Sequence, residues 1–178
     1  MILVRWHGRG GQGAFTAAKL LGAAYASGES KHALAFPSFG PERRGAPVRA
    51  FTKLDSKPIR DRSESKKCDF VVILDDTLFV NSYLDDLNQD GKMIINSKLK
   101  FNDNRILSID ALSIAEEELK APITNTAMLG ALLGVLKDIT EDQILKAVED
   151  YMPKKIVEKN KKVILCSTAE IRQKGDEL

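Results

Sequence analysis

The loop near the start of the chain is built from residue types that suit the binding of an anion. It consists of Gly8, Arg9, Gly10, Gly11, Gln12 and Gly13. Its glycines satisfy the pattern G-x-G-x-x-G, and because glycine lacks a Cβ atom the backbone can turn tightly and approach a ligand closely. The helical pattern that follows offers unpaired N–H groups and a partial positive charge to a phosphate, and Arg9 adds a full charge.

The same glycine pattern occurs in dinucleotide-binding folds, but a second feature of those folds is missing. They place an Asp or Glu at the end of the second strand, where it binds the ribose hydroxyls. Here the predicted second strand is followed by Pro37 and Ser38, and Glu29 precedes it. Three interpretations stay open: a turn without a ligand, a site for another anion or for a partner's backbone, and a nucleotide site in a stand-alone oxidoreductase.

Few other side chains have a spacing typical of catalysis. Cys68 and Cys166 are far apart in the chain, whereas an iron–sulfur cluster needs about four thiolates. Neither histidine has a nucleophilic Ser or Cys at a recognisable spacing, and we expect His7 to support the glycine turn. We therefore predict no catalytic residue, no metal site and no firmly bound cofactor in this chain.

Two adjacent carboxylates follow an apolar run, at a place where open α/β sheets bind ligands. Asp75 and Asp76 could face the glycine loop from there. The favoured interpretation is simpler, because Asp76 or Thr77 is well placed to cap the next helix.

The elements around these residues alternate between strands and helices. The apolar run 70–74 is typical of a parallel strand buried on both faces. Strands are predicted over 2–6, 33–36, 48–54, 70–74, 92–96 and 106–109. Helices are predicted over 14–25, 78–87, 126–136 and 154–172, with others starting near 110 and 140. This order predicts an α/β fold in one domain, residues 1–178, with three α/β/α layers and a mostly parallel, doubly wound sheet.

The charge is distributed unevenly along a chain whose net charge is only +2. Residues 1–67 carry 13 Lys or Arg and 5 Asp or Glu, whereas residues 68–150 carry 7 and 16. Either the basic part faces an anion or an acidic partner, or the two parts pair within the fold. No apolar stretch approaches the roughly 20 residues that span a membrane, and no leader is visible. We expect a cytoplasmic protein that binds neither membrane nor nucleic acid.

Three blocks of the sequence resemble the gamma subunits of 2-oxoacid:ferredoxin oxidoreductases. They are WHGRGGQG at 6–13, FPSFGPERRGAPVRAF at 36–51 and ITNTAMLGA at 123–131. Their order and spacing resemble that family along nearly the whole chain. The sequence RRGAP at 43–47 is more similar to the corresponding segment of the pyruvate (pyruvate synthase) and branched-chain 2-oxoacid enzymes than to that of the 2-oxoglutarate or indolepyruvate enzymes.

The resemblance implies a place in a multisubunit enzyme. Such an enzyme converts a 2-oxoacid and coenzyme A to acyl-CoA, carbon dioxide and reduced ferredoxin. The resemblance implies alpha, beta and delta subunits as partners, with ferredoxin as the electron acceptor. Thiamine diphosphate, magnesium and 4Fe–4S clusters would then belong to other subunits, and the isolated gamma chain would be inactive. Coenzyme A phosphate becomes the candidate anion for the glycine loop.

The second block is also the expected docking element for those partners. Segment 36–47 is too rich in Gly and Pro for a simple hairpin turn and too stiff for a linker. The candidate interface residues are Phe36, Phe39, Glu42, Arg43, Arg44 and Arg49. Aromatic and Arg side chains are the usual anchors of interfaces, so an isolated chain is expected to self-associate through them. The alternative is an internal role, with Phe36 in the core and Glu42 paired to an arginine of its own chain.

Overall fold

One six-stranded sheet organises the molecule, and the computed structural model describes residues 1–38 and 45–176 of it. The strands are β1 (Ile2–Arg9), β2 (His32–Ser38), β3 (Pro47–Asp55), β4 (Cys68–Ile73), β5 (Leu87–Asn96) and β6 (Ile106–Ile109). The helices are α1 (Ala14–Ala26), α2 (Ser82–Asp85), α3 (Ala111–Leu119), α4 (Asn125–Leu133), α5 (Glu141–Tyr151) and α6 (Lys154–Asp176). A short 3-10 helix, Asp76–Leu78, precedes α2.

The strands lie in the order β2-β3-β1-β4-β5-β6. β1, β4, β5 and β6 are parallel neighbours, whereas β3 runs antiparallel to β1 and to β2. The chain leaves β1 through α1 toward one edge of the sheet and later returns to the other side of β1 through β4. Ligands of open α/β sheets bind at such a reversal, at the carboxyl ends of the strands. The predicted single-domain α/β fold with a mostly parallel sheet is confirmed.

The two faces of the sheet are covered differently. On one face α1 and α4 pack on the sheet, and α3, α5 and α6 complete a large apolar core. Trp6 is fully buried in that core, where its indole N–H donates to the Thr52 hydroxyl at 3.1 Å. The other face carries a smaller cluster around Val71 and Ile73, covered by side chains of segment 78–84 and by Phe101. This cover is the thin third layer of the fold.

The prediction of a helix over 78–87 is wrong. The segment instead forms the 3-10 helix, the short α2 and the start of β5, because Leu87 already pairs with Cys68 of β4. β1 extends to Arg9, beyond the predicted end at Trp6, because its pairing with β3 continues to Pro47.

The predicted helix starts in the last third of the chain are largely confirmed. Asp110 caps α3 by accepting from the Ser113 amide, and Thr140 forms a capping box with Gln143 at the start of α5. α4 is shorter than predicted, since it begins at Asn125 and ends at Leu133.

Ion pairs connect the oppositely charged parts of the chain. Arg5 pairs with Asp86 at 2.8 Å and Arg9 with Asp75 at 3.0 Å, so the basic and acidic parts meet within the fold at these points. Among the helices of residues 1–38 and 45–176, none combines the length and the apolar character needed to cross a bilayer.

Candidate functional site

The glycine loop lies at the carboxyl end of β1, where the strand order reverses. Gly11 has φ +96° and Gly13 has φ +81°, a region that L side chains rarely adopt. The amide of Gly10 donates to the Ala46 carbonyl at 2.9 Å, and the Gly45 amide donates to the Gly10 carbonyl at 3.2 Å. The loop is therefore fastened to the chain that enters β3.

Asp75 holds the loop from the neighbouring strand end. Its Oδ2 accepts from Arg9 Nε and from Gln12 Nε2, each at 3.0 Å. Its Oδ1 accepts from the Thr77 amide at 3.1 Å and so caps the 3-10 helix. The predicted cap at Asp76 or Thr77 is therefore wrong, because Asp75 is the capping residue and also orders the loop. Burial acts to raise the pKa of Asp75, but hydrogen bonds from Thr77 and Gln12 and the Arg9 charge outweigh it and lower the pKa.

All three guanidinium nitrogens of Arg9 donate hydrogen bonds to groups around the loop. Besides the bond to Asp75, Nη2 donates to the Thr77 hydroxyl at 2.7 Å and Nη1 to the Gly45 carbonyl at 3.2 Å. The side chain is still 36% exposed, so its charge remains near the loop. An anion there would share Arg9 with Asp75.

Two of the loop amides are already used inside the loop. Gly10 donates to Ala46, and Gln12 donates to the Arg9 carbonyl at 2.9 Å. Within residues 1–38 and 45–176, the amides of Gly11, Gly13 and Ala14 have no acceptor. These three N–H groups are therefore the backbone donors that an anion would meet.

Asn125, the first residue of α4, is a residue of this site to which the sequence analysis assigned no functional role. A Cβ atom added to Gly13 would lie 3.1 Å from Asn125 Cγ and 3.3 Å from its Cβ, and still closer to Nδ2. The third sequence block thus contacts the first at the start of α1. Helical periodicity could not reveal this contact, because it depends on how α4 packs.

His7 lies beneath a cavity on the opposite face of the sheet. Burial lowers the pKa of His7 to about 3, and the charges of Arg5 and Arg49 add to the effect, so the imidazole is neutral. Its ring lies 4.3 Å from the ring of Tyr83. A cavity of about 480 Å³ begins there and is also bounded by Ser38 and Arg49. His7 thus packs under the cavity beside the glycine turn.

Two of the six predicted interface residues lie in the described part of the chain. Phe36 stacks on Phe51 with ring centroids 5.3 Å apart, so part of its ring packs against a side chain of β3. Arg49 pairs with Glu64 at 3.2 Å and is about half exposed. The remaining four lie outside the described residues, namely Phe39, Glu42, Arg43 and Arg44.

The strand order argues against a dinucleotide at the glycine loop. In a dinucleotide fold the second strand lies beside the first, so that its terminal carboxylate reaches the ribose. Here β3 separates β2 from β1, and β2 ends at Ser38. Among residues 1–38 and 45–176, no carboxylate therefore lies at the position that a nicotinamide or flavin dinucleotide needs.

A family model and individual relatives both match this chain over nearly its whole length. The family described as pyruvate ferredoxin/flavodoxin oxidoreductase matches residues 3–170. Pyruvate synthase subunit PorC of Methanothermobacter thermautotrophicus is 44% identical over 176 residues, which cover 97% of this chain and 97% of the relative. The pyruvate/ketoisovalerate oxidoreductases common subunit gamma of Pyrococcus furiosus is also 44% identical, over 90% of this chain and 91% of the relative.

A solved structure extends the likeness to three dimensions. The crystal structure of pyruvate oxidoreductase subunit PORC of Thermotoga maritima superposes with a TM-score of 0.82 at 33% identity. The match covers 94% of this chain and 95% of that one.

Proposed function

This chain belongs to the pyruvate ferredoxin/flavodoxin oxidoreductase family, and we propose that it is the gamma subunit of a pyruvate, or related 2-oxoacid, ferredoxin oxidoreductase. The near-complete match to relatives named as subunits of such enzymes carries this proposal. The complete enzyme would oxidise the 2-oxoacid with coenzyme A and pass electrons to ferredoxin. Its thiamine diphosphate, magnesium and 4Fe–4S clusters would lie on alpha, beta and delta subunits in the cytoplasm.

The chain's role in that enzyme is structural rather than catalytic. Within the described residues, no group of three or more His, Cys, Asp and Glu side chains is placed to hold a metal ion. Burial raises the pKa of the Cys68 thiol to about 11, so this thiol is a poor nucleophile and a poor metal ligand at neutral pH. Cys166 is exposed and far from Cys68 in sequence.

An assay of the purified chain tests this role. With thiamine diphosphate and coenzyme A present, we expect no 2-oxoacid-dependent reduction of an artificial electron acceptor. Turnover near the rate of the native complex would contradict the proposal. Purification from the native source should recover the chain with brown iron–sulfur partner subunits, and recovery of the chain alone would argue for a stand-alone protein.

Segment 36–47 is the proposed docking element for the other subunits. It connects the antiparallel strands β2 and β3 at one side of the sheet, and its sequence combines two phenylalanines with two adjacent arginines. Glu64 joins the flanks of the segment, because it accepts from the Ser38 hydroxyl and pairs with Arg49. Firm flanks and anchor-type side chains suit an interface.

Alanine variants separate docking from folding. Phe39→Ala and Arg43→Ala should each weaken recovery of the whole complex in a pull-down and leave the melting temperature of the lone subunit nearly unchanged. Arg60→Ala, which removes an exposed arginine outside the segment, is the matched control and should assemble normally. If both test variants unfold the lone subunit and the refolded protein still assembles, the segment is structural. Self-association of the lone subunit should weaken in the same variants.

The glycine loop is the proposed contact for a phosphate of coenzyme A. Two observations support this assignment: the amides of Gly11, Gly13 and Ala14 have no acceptor among the described residues, and Arg9 adds a positive charge at the start of α1. Titration at low salt should show binding of coenzyme A, and Gly10→Asp should block it through added bulk and like-charge repulsion. Tight binding of NADH without binding of coenzyme A would refute the assignment.

A further inference from the structure

Basic side chains from two strands lie together on the sheet face opposite the large core. The register of β1 and β4 sets Arg5 beside Val71 and His7 beside Ile73, so both basic residues face the thinly covered side of the sheet. On the other side of β1, His7 is paired in register with Arg49 of β3. The charges of both arginines lower the pKa of His7, although each arginine has a carboxylate partner. The charge around His7 therefore favours an anion.

Two buried nitrogen atoms at this place lack a hydrogen-bond partner. His7 is 3% exposed and Arg5 is 4% exposed, and His7 Nε2 and Arg5 Nε are paired with no group of residues 1–38 and 45–176. The ring of Tyr83 covers both side chains, with its centroid 4.3 Å from that of His7 and 5.2 Å from Arg5 Cζ. The ring face stabilises the Arg5 cation but offers nothing to Nε2 of His7. Buried polar groups without a partner are costly and rare, so we look for the missing partner outside the lone chain.

The cavity above His7 gives such a partner room to enter. Its volume is about 480 Å³, and its wall includes Ser38 and Pro47. These two residues lie at the flanks of segment 36–47, so a subunit that docks on this segment also lies at the mouth of the cavity. Because His7 itself lines the cavity, an entering side chain lies beside its ring, and a small shift of the Tyr83 ring gives that side chain access to Nε2.

We propose that this cavity receives an aspartate or glutamate side chain of a partner subunit, whose carboxylate accepts hydrogen bonds from His7 Nε2 and from the Arg49 guanidinium. This inference rests on the proposed docking role of segment 36–47 and adds the chemistry of the partner's contact. Glu64 shows that a carboxylate suits this place, since it pairs with Arg49 at 3.2 Å. Arg49 is still about half exposed and has further N–H donors for a second carboxylate.

Two replacements of His7 separate a contact with the partner from a purely structural role. Phenylalanine keeps an aromatic ring but has no polar atom, so His7→Phe removes the unpartnered nitrogen, and the melting temperature of the lone chain should stay unchanged or rise. The same variant should bind the partner subunits at least about tenfold more weakly, because the carboxylate loses one charge-assisted hydrogen bond. His7→Gln, whose amide nitrogen can replace Nε2 as a donor, should recover most of the affinity.

The test measures the affinity of the full-length chain for the remaining subunits of the enzyme, purified together. It compares the unmodified chain with His7→Phe and His7→Gln, and it records the melting temperature of each lone chain. His32→Phe is the matched control, because it makes the same replacement at the start of β2. Ser38 at the cavity lies at the other end of that strand, roughly 20 Å away. The control should bind normally.

The outcomes separate this inference from the docking proposal. If His7→Phe binds as tightly as the unmodified chain, the inference is overturned, and the docking segment is still judged by Phe39→Ala and Arg43→Ala. If His7→Phe lowers the melting temperature of the lone chain and His7→Gln binds no better, His7 is structural and the inference is wrong. If the unmodified chain does not bind the other subunits, the proposed function fails and the inference fails with it.

A titration with acetate tests whether the cavity is instead a site for a small carboxylate. The chain has two histidines, so labelling its histidines with ¹⁵N gives separate ring signals for His7 and His32. We expect acetate to leave the His7 signals of the lone chain unchanged, because the partner subunit is needed to hold a carboxylate in the cavity. Tight, saturable binding of acetate at His7 would identify a small-molecule site and overturn the assignment to a partner side chain.

Discussion

The contact between α4 and α6 depends on a glycine that leaves no room for a methyl group. A Cβ atom added at Gly130 would lie 2.8 Å from the Cα atom of Ile164 and 2.9 Å from its carbonyl carbon. Both neighbours are backbone atoms in the middle of α6, so no side-chain rotation relieves the clash. The Thr168 hydroxyl also donates to the Gly130 carbonyl at 2.9 Å, and this bond fixes the same spacing. Gly130→Ala must therefore push the two helices apart.

A second helical glycine supplies the matched control. At Gly22 of α1 an added Cβ would lie 3.6 Å from Ala33 Cβ and 3.7 Å from Ala35 Cβ, which is ordinary contact. Replacing Gly by Ala inside a helix stabilises it by about 0.5–1 kcal/mol. We expect Gly22→Ala to gain about 1 kcal/mol, which raises the melting temperature of a chain this long by about 2–4 °C.

The same propensity gain applies to Gly130→Ala, but overpacking opposes it. Inserting a methyl group into a well-packed core costs about 1–3 kcal/mol and occasionally more. Because the obstacle is backbone, we take the upper part of that range and expect a net loss of about 2 kcal/mol, or about 4–8 °C in melting temperature. Urea unfolding of both variants beside the unmodified chain measures the difference. If Gly130→Ala is as stable as Gly22→Ala, Gly130 does not lie in close contact with the backbone of α6.

Two further predictions concern ionisable groups near the loop. His7 is neutral when folded and has an ordinary pKa when unfolded, so protonation of the unfolded chain lowers stability as the pH falls from about 6.5 toward 3. Urea unfolding should show a free energy of unfolding about 2 kcal/mol lower at pH 5 than at pH 7 because of this residue, and His7→Phe should lack this loss. If the free energy of unfolding of His7→Phe falls by the same amount between pH 7 and pH 5, the burial argument is wrong. Asp75→Asn should release Arg9 and Gln12, lower the free energy of unfolding by about 1–2 kcal/mol and shift the Gly11 amide signal, while metal content stays unchanged. Tight magnesium binding that is lost in Asp75→Asn would instead indicate a metal site.

Local sequence patterns predicted the strand, glycine loop and helix at the start of the chain, because each is determined by residues close in sequence. The contacts that shape the candidate site were not predictable in that way. The pairing of Arg9 with Asp75 joins residues 66 positions apart and depends on the register of β1 against β4. The contact of Asn125 with Gly13 depends on the packing of α4 against α1. Segment 78–87 has helix-forming residues, yet pairing of Leu87 with β4 overrides that preference.

The flanks of segment 36–47 and the cavity above His7 belong to one structural unit, because buried cations on that face of the sheet form ion pairs with the segments that cover it. Arg5 is 4% exposed and pairs with Asp86, and Lys53 is 1% exposed and pairs with Asp61. If the segment that carries Asp61 moved away, Lys53 would lose its counter-charge in a site closed to water, which is strongly unfavourable. That segment also carries Glu64, which is bonded to both flanks of segment 36–47. A partner that binds segment 36–47 therefore meets flanks that are already fixed, so less ordering is required on binding.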